Sequence, residues 1–226
     1  MRQPGRAPAE MELAKEAVKI WETRHLQLDA RTGYRQSGNL RLARTEDETE
    51  VIRNLVHFQA ANGLPIELLD TQQAQQIAPA LSNEILLASW CPTDGHADPL
   101  RSVQGFQKAA ERLGVTFQTN TAVTGIATHM ANGCRRFNAI ETANGSIVAG
   151  NAMLATGVQT NLLLGGLGVN IPMTTPLVSA FQTIPVTTSL GPVMGVANGD
   201  LAVRQQIDGR LRVKGGAEQL NANVEG

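Results

Sequence analysis

The apolar residues of this chain recur at two intervals, and the change from one interval to the other marks out its elements. From Glu10 onward, Met11, Ala14, Val18 and Trp21 return every three or four positions, the stripe of an amphipathic helix. Thr45-Glu46-Asp47-Glu48 reads as a capping box that opens a second helix, expected to bury Val51, Leu55 and Phe58 and to stop at Asn62-Gly63 with Pro65 beyond. Asp98-Pro99 opens a third, with an acceptor at the N-cap and proline at the first helical position. On it Val103, Phe106, Ala110 and Leu113 share a face, and Gly114 closes it. Between these helices the interval drops towards two. Residues 33–44, 66–69 and 84–91 read as strands, with a short helix over 71–77 halted by Pro79.

The middle of the chain is a run of turns. Val115-Thr116-Phe117 reads as a short strand, and three further strand-like runs follow, divided by Asn132-Gly133 and Asn144-Gly145. Asn-Gly between extended segments favours a two-residue turn with positive φ at both central positions, so a β-meander is expected. Its last strand, 149–155, ends at Thr156-Gly157 and hands over to a helix over 158–167. Free N–H groups at such a handover suit an anion such as a phosphate, and a plain strand-to-helix turn accounts for the same residues. Strands at 174–184, 193–197, 201–206 and 210–214, with Asn198-Gly199 and Asp208-Gly209 between them, predict a second antiparallel meander. Residues 1–9 form a loose lead-in and 215–226 a frayed end. Helices separated by antiparallel strands place the chain in the α+β class.

Composition narrows the function classes. The 226 residues are 42% hydrophobic and 17% charged, with a formal net charge of −1, the makeup of one or two folded domains. That charge balance argues against a nucleic-acid surface, and 4% aromatic residues leave few platforms for stacking bases. Cys91 and Cys134 fit neither a metal-ligand spacing nor a disulfide framework, and both are expected as buried, reduced thiols. No apolar run approaches the ~20 residues of a membrane helix. No basic segment followed by an apolar one opens the chain, so the expected location is the cytoplasm.

Several short motifs stand in a telling order: Gly33-Tyr34-Arg35-Gln36-Ser37-Gly38-Asn39-Leu40, Asp94-Gly95-His96-Ala97-Asp98-Pro99, Thr121-Ala122-Val123-Thr124-Gly125-Ile126, Met153-Leu154-Ala155-Thr156-Gly157 and Arg204-Gln205-Gln206-Ile207-Asp208-Gly209-Arg210. Together they resemble the flavin-dependent amine and amino-acid oxidoreductases of the glycine-oxidase and D-amino-acid-oxidase type. Within that family the sarcosine oxidase β subunit and the opine dehydrogenases look nearest. The resemblance implies FAD as cofactor and an amine or amino acid as substrate. It also implies the reaction, in which the substrate's α C–H delivers hydride to the flavin and water hydrolyses the resulting imine. It divides the chain into a helical lead-in belonging to the FAD-binding region (1–32), a first part of the substrate domain (33–95), a central FAD-binding part with the β-meander (96–170) and a second, antiparallel part of the substrate domain (171–226).

The resemblance also implies roles for particular residues. Val123 matches a position whose backbone contacts the adenine of FAD, although a core-facing strand valine reads equally from the sequence. Ala155, Thr156 and Gly157 match the strand end near the diphosphate and ribose, where small residues let backbone approach a ligand. Arg204 matches the lining of the substrate cavity, where a guanidinium can hold a carboxylate with two parallel hydrogen bonds; a solvent-facing Arg on an edge strand is the other reading. Relatives often carry an aromatic just before this Arg, and here Leu201-Ala202-Val203 stands instead. No catalytic residue is assigned. His96 reads as a loop His that positions the Asp98 cap, His25, His57 and His129 as surface residues, and Trp21 and Trp90 as core.

A dinucleotide enzyme should also show G-x-G-x-x-G after a strand. The nearest match, Gly165-Gly166-Leu167-Gly168, reads better as a helix C-cap and turn. In the family that fingerprint lies ahead of the position of Met1, and a closing segment follows the position of Gly226, so the chain is expected to be the central portion of such an enzyme. Its expected partners are a small amine or amino acid and either further subunits or an N-terminal half. A non-catalytic substrate-binding or subunit-interface module that has lost its dinucleotide-binding segment is the competing reading.

Overall fold

Helices form where their caps stand, in a computed structural model that describes residues 2–187 and 190–219. α1 (Pro8–Leu28) starts on a proline and ends at Asp29, whose φ of 49° is left-handed. α2 is Glu46–Ala61, α3 is Thr71–Ile77, α4 is Pro99–Arg112 and α5 is Thr160–Gly165. The Thr45 hydroxyl accepts the Glu48 N–H at 3.3 Å, as a capping box requires. The returning arm goes further than expected. Glu48 accepts the N–H of Arg44 at 2.7 Å as well as that of Thr45, and pairs with the Arg44 guanidinium at 2.6 Å.

Two helices present a different face from the one the apolar spacing suggests. α2 buries Glu48, Thr49, Ile52, Val56 and Gln59, while Val51 and Phe58 are exposed and Leu55 is half-buried. Both stripes satisfy a helical interval. The buried one carries polar ends that are partly partnered: Glu48 has Arg44, and Gln59 Nε2 donates to the Arg6 carbonyl at 3.3 Å, while Gln59 Oε1 is buried without a hydrogen bond. Ile52 then packs with Ala43, Leu87 and Ala197 at 0% exposure. α4 likewise turns Ser102 and Gly105 inward and leaves Val103, Phe106 and Leu113 exposed. Gly105 permits a close approach to the end of α1, since a Cβ there would lie 3.2 Å from that of Ala30. Arg112 locks the pair by donating to the Leu28 carbonyl at 2.8 Å. Trp21 is therefore not a fully buried core residue: it stacks with Tyr34 and meets Phe106 edge-on.

The strands are β1 (Asn39–Ala43), β2 (Glu67–Leu69), β3 (Leu87–Cys91), β4 (Val123–Ala131), β5 (Cys134–Thr142), β6 (Gly145–Val148), β7 (Pro176–Pro185), β8 (Val193–Val196), β9 (Ala202–Gln205) and β10 (Arg210–Gln219). They form a seven-stranded sheet, ordered β2-β3-β1-β8-β9-β10-β7, and a three-stranded sheet, β4-β5-β6. β1 pairs antiparallel with β3 and parallel with β8; β8–β9 and β9–β10 are antiparallel. The fold is thus α+β, as the pattern predicts. The expected strand at 115–117 does not form: Val115 and Phe117 sit exposed in irregular chain.

The chain divides into two units, one of Met1–Val115 with Val178–Glu218 and one containing Thr116–Leu177. In the first, both faces of β1 are covered. Leu40 and Leu42 pack with Ala88, Leu69, Ala74 and Met194, while Ala43 on the opposite face meets Ile52 of α2. In the second, Ala131 pairs with Cys134 around Asn132-Gly133, whose φ values of 52° and 75° fit a type I′ turn. The other Asn-Gly pair behaves differently. Thr142 pairs with Gly145, so Ala143 and Asn144 form the loop and only Gly145 has positive φ.

Candidate functional site

Arg204 stands on β9, and the register of the hairpin beyond it decides what surrounds it. The Asp208-Gly209 turn closes with Gln206 N–H on the Arg210 carbonyl at 2.8 Å, which sets Arg212 opposite Arg204 and Lys214 opposite Ala202. Alternate residues of paired strands share a face, so Ala202, Arg204, Arg212 and Lys214 lie together. They line a cavity of about 430 Å³ with Pro99, Val193 and Val203. β9 is interior to the sheet, between β8 and β10, so the edge-strand reading of Arg204 does not hold.

Arg204 is half-buried and reaches the Ala97 carbonyl at 3.5 Å, a long contact that leaves most of its donors free for another acceptor. Burial pushes its guanidinium below the ordinary range; the like charge of Arg212 adds to this and Asp98 opposes it. Gln205 faces away and ties the hairpin down, with Nε2 on the Gly209 carbonyl at 3.0 Å and Oε1 accepting the Leu190 N–H at 2.9 Å.

A smaller recess beside the cavity joins Arg204 to Gly33, His96, Ala97, Asp98, Gln206 and Ile207. His96 is buried, and its backbone exchanges hydrogen bonds with Arg35 at 3.0 and 2.8 Å. Its imidazole is pushed down to about 4, first by burial and then by Arg204. The ring is therefore neutral at neutral pH. Asp98 caps α4 as expected, accepting the Arg101 N–H at 2.9 Å. The proximity of His96 to Arg204 is a pairing across more than a hundred residues that no local spacing signals.

The remaining candidates lie in the other unit. Val123 is the first residue of β4, pairs with Thr142 and is partly exposed. Ala155 and Thr156 are not on a strand: β6 ends at Val148, its ladder against β5 runs out, and residues 149–156 carry no strand or helix. Nor is the following helix as long as expected. A 3-10 turn, Gly157–Gln159, leads into the six-residue α5, and Gly168 (φ 70°) ends that stretch with its N–H on the Gly165 carbonyl. So short a helix aligns few peptide dipoles, and the helix-terminus argument for a phosphate falls away.

What remains is an open backbone. Gly157 has φ +57° and nothing within 4 Å of where a Cβ would stand, while Thr156 and Thr160 share a hydroxyl contact at 2.9 Å. Small, exposed residues of this kind fit the close approach of a dinucleotide's sugar and phosphate groups. The hydrogen bonds of Thr156 run to Thr160 and, through its carbonyl, to the Gln159 N–H at 3.2 Å. Among the described residues no three His, Cys, Asp or Glu side chains converge as metal ligands, and no helix is long and apolar enough to cross a membrane. Cys91 is buried and its thiol is pushed up by burial, whereas Cys134, expected to be buried, is exposed in the β4–β5 hairpin.

Against known proteins, the model of the family DAO, FAD dependent oxidoreductase, matches residues 1–225. L-Proline dehydrogenase from P. horikoshii superposes with a TM-score of 0.85 at 25% identity, over 100% of this chain and 60% of its own. Glycine oxidase from Bacillus cereus gives 0.79 at 22% identity, over 92% and 56%. L-Amino acid deaminase from Proteus myxofaciens gives 0.80 at 20%, over 94% and 47%. The chain thus spans between 47% and 60% of the length of these three solved proteins.

Proposed function

The chain belongs to the DAO family of FAD dependent oxidoreductases, and on that premise we propose that it takes part in the FAD-dependent oxidation of the C–N bond of an amine or amino acid. The observation that carries the reading is Arg204, an incompletely used guanidinium on an interior strand at a cavity of about 430 Å³. A planar guanidinium in such a place suits a carboxylate. The proteins it superposes on are named for proline, glycine and L-amino acids, which agrees with an amino acid as the ligand.

In this reading Arg204 holds the substrate carboxylate and so orients the α-carbon, with Pro99 and Val193 as apolar neighbours in the cavity. Ala155, Thr156 and Gly157 hold the sugar and phosphate portion of FAD, and Val123 offers backbone to its adenine. The flavin, when bound, supplies the hydride acceptor. The neutral His96 next to Arg204 keeps that guanidinium from gaining a second positive neighbour on this side.

The test is the visible absorption spectrum of the purified chain after incubation with excess FAD and desalting, followed by amino acids and an artificial electron acceptor. A retained flavin band that bleaches anaerobically with an amino acid is the expected result. A chain that stays colourless means that Thr156 and Gly157 do not hold the cofactor by themselves and that this chain supplies at most the substrate half of the reaction. If such a chain still binds carboxylates at Arg204, it is a substrate-binding module.

A further inference from the structure

The cavity beside Arg204 holds more positive charge than one carboxylate needs. Arg204 and Arg212 are direct cross-strand partners on one face, and Lys214 follows two residues on. Like charges placed opposite one another destabilise a strand pair. Arg210 at the start of the same strand pairs with Asp208 at 3.4 Å, and Arg44 beyond β1 with Glu48 at 2.6 Å and Asp200 at 3.2 Å, whereas Arg41 on β1 reaches only the Ala197 carbonyl, at 3.5 Å. Among the described residues none of Arg204, Arg212 and Lys214 forms an ion pair. The flanking strands bring no acid in, since β7 reads PLVSAFQTIP and β8 reads VMGV. Asp98, which opposes the burial of Arg204, is occupied with the N-terminus of α4.

We propose that the substrate carries a second carboxylate, held by Arg212 across the hairpin from Arg204, with Lys214 reinforcing it. The inference rests on the reading of Arg204 as the clamp for the first carboxylate. The cross-strand geometry places the two side chains' origins roughly 5 Å apart on one face, and each extended guanidinium reaches its own acceptor without sharing it. A dicarboxylic amino acid or a secondary amine bearing two carboxymethyl arms satisfies both; a neutral amino acid leaves Arg212 and Lys214 facing each other's charge. Arg212 is therefore a specificity residue and not part of the chemistry.

Calorimetric titration of the purified chain with glutarate, butyrate and sulfate tests this without any flavin, because none of the three can be oxidised at a C–N bond. The wild-type chain is expected to bind glutarate about tenfold or more tighter than butyrate, the worth of one charge-assisted hydrogen-bonded pair. Arg212→Leu should remove that advantage and leave butyrate binding within about twofold, while Arg204→Leu should lose both ligands. Butyrate binding as tight as glutarate binding in the wild type overturns the second carboxylate and leaves the first standing. An Arg212→Leu chain that loses butyrate and glutarate equally shows one shared clamp, and also overturns the proposal. Sulfate competing as well as glutarate reduces the face to an unselective cationic patch. If neither organic acid binds, the reading of Arg204 fails as well. The wild-type ratio needs no variant, so the test stands even if a substitution unfolds the hairpin.

Discussion

The two units of this chain are both built with β-hairpins, yet they keep their shape by different means. In the sheet unit, Leu40, Ile52, Ala43, Ala88 and Cys91 are completely shielded, and helices cover both faces of β1. In the unit containing Thr116–Leu177, Ala139 is the one fully buried residue among those described, and apolar side chains such as Met153, Leu162 and Val148 stand in the open, Met153 at 92% exposure. The meander relies on ladder hydrogen bonds and on turn chemistry. A three-stranded sheet with little buried apolar surface is near the limit of independent stability. The lesson is that a correct hairpin pattern predicts shape and says little about how strongly that shape is held.

The sharpest way to break the comparison is a cavity in the packed unit. Ile52→Ala is expected to cost about 2–5 kcal/mol in denaturant unfolding, with the exchange protection of β1 and β3 amides falling while that of β4–β6 is unchanged. A uniform fall across both units would mean that they unfold as one. Next in size is Gly133→Ala, which forces a side chain into φ 75° and should weaken the meander by roughly 1–2 kcal/mol, seen as faster exchange confined to β4 and β5.

A smaller effect sharpens the contrast through pH. His96 titrates near 6.5 when unfolded and near 4 when folded. Above pH 6.5 both states are neutral there and its contribution is complete; as pH falls from 6.5 towards 4, the unfolded chain takes up a proton that the folded one refuses, and stability drops. The urea midpoint of the wild type should therefore fall over that window more steeply than that of His96→Asn. Parallel profiles would rule out a buried neutral His96. Smallest of all, Leu162→Ala on the exposed α5 should change stability by no more than about 0.5 kcal/mol; a loss of several times that would mean this leucine is covered in solution.

Local signals read well from the sequence, and long-range ones did not. Thr45 and Asp98 cap helices where their hydroxyl and carboxylate foretell it, and Asn132-Gly133 turns as its two positive φ values require. The buried face of α2 could not be picked from spacing alone. Ile52 and Val56 compete on equal terms with Val51, Leu55 and Phe58 until the partners of Glu48 and Gln59 are known. The strand expected at 149–155 has the right residues and no ladder to join. At the candidate site Arg204 was singled out through the family resemblance, with an edge-strand Arg as the other reading. Arg212 and Lys214 were not, because only the register of the β9–β10 turn brings them to the same face, and His96 joins them from a loop more than a hundred residues earlier.

The parallel pairing of β1 with β8 ties Asn39 to Val193, and this has a consequence for synthesis. β1 can join β3 early, but its other edge waits for about 150 further residues, roughly 10–30 s at ordinary ribosomal speeds, with the whole meander emerging in between. During that interval Leu40 and Leu42 lack Met194, and the half-finished sheet offers an open edge to any neighbouring strand. Chains arrested on the ribosome before residue 193 are accordingly expected to be cut by protease within β1 and β3, and chains released beyond residue 214 to resist.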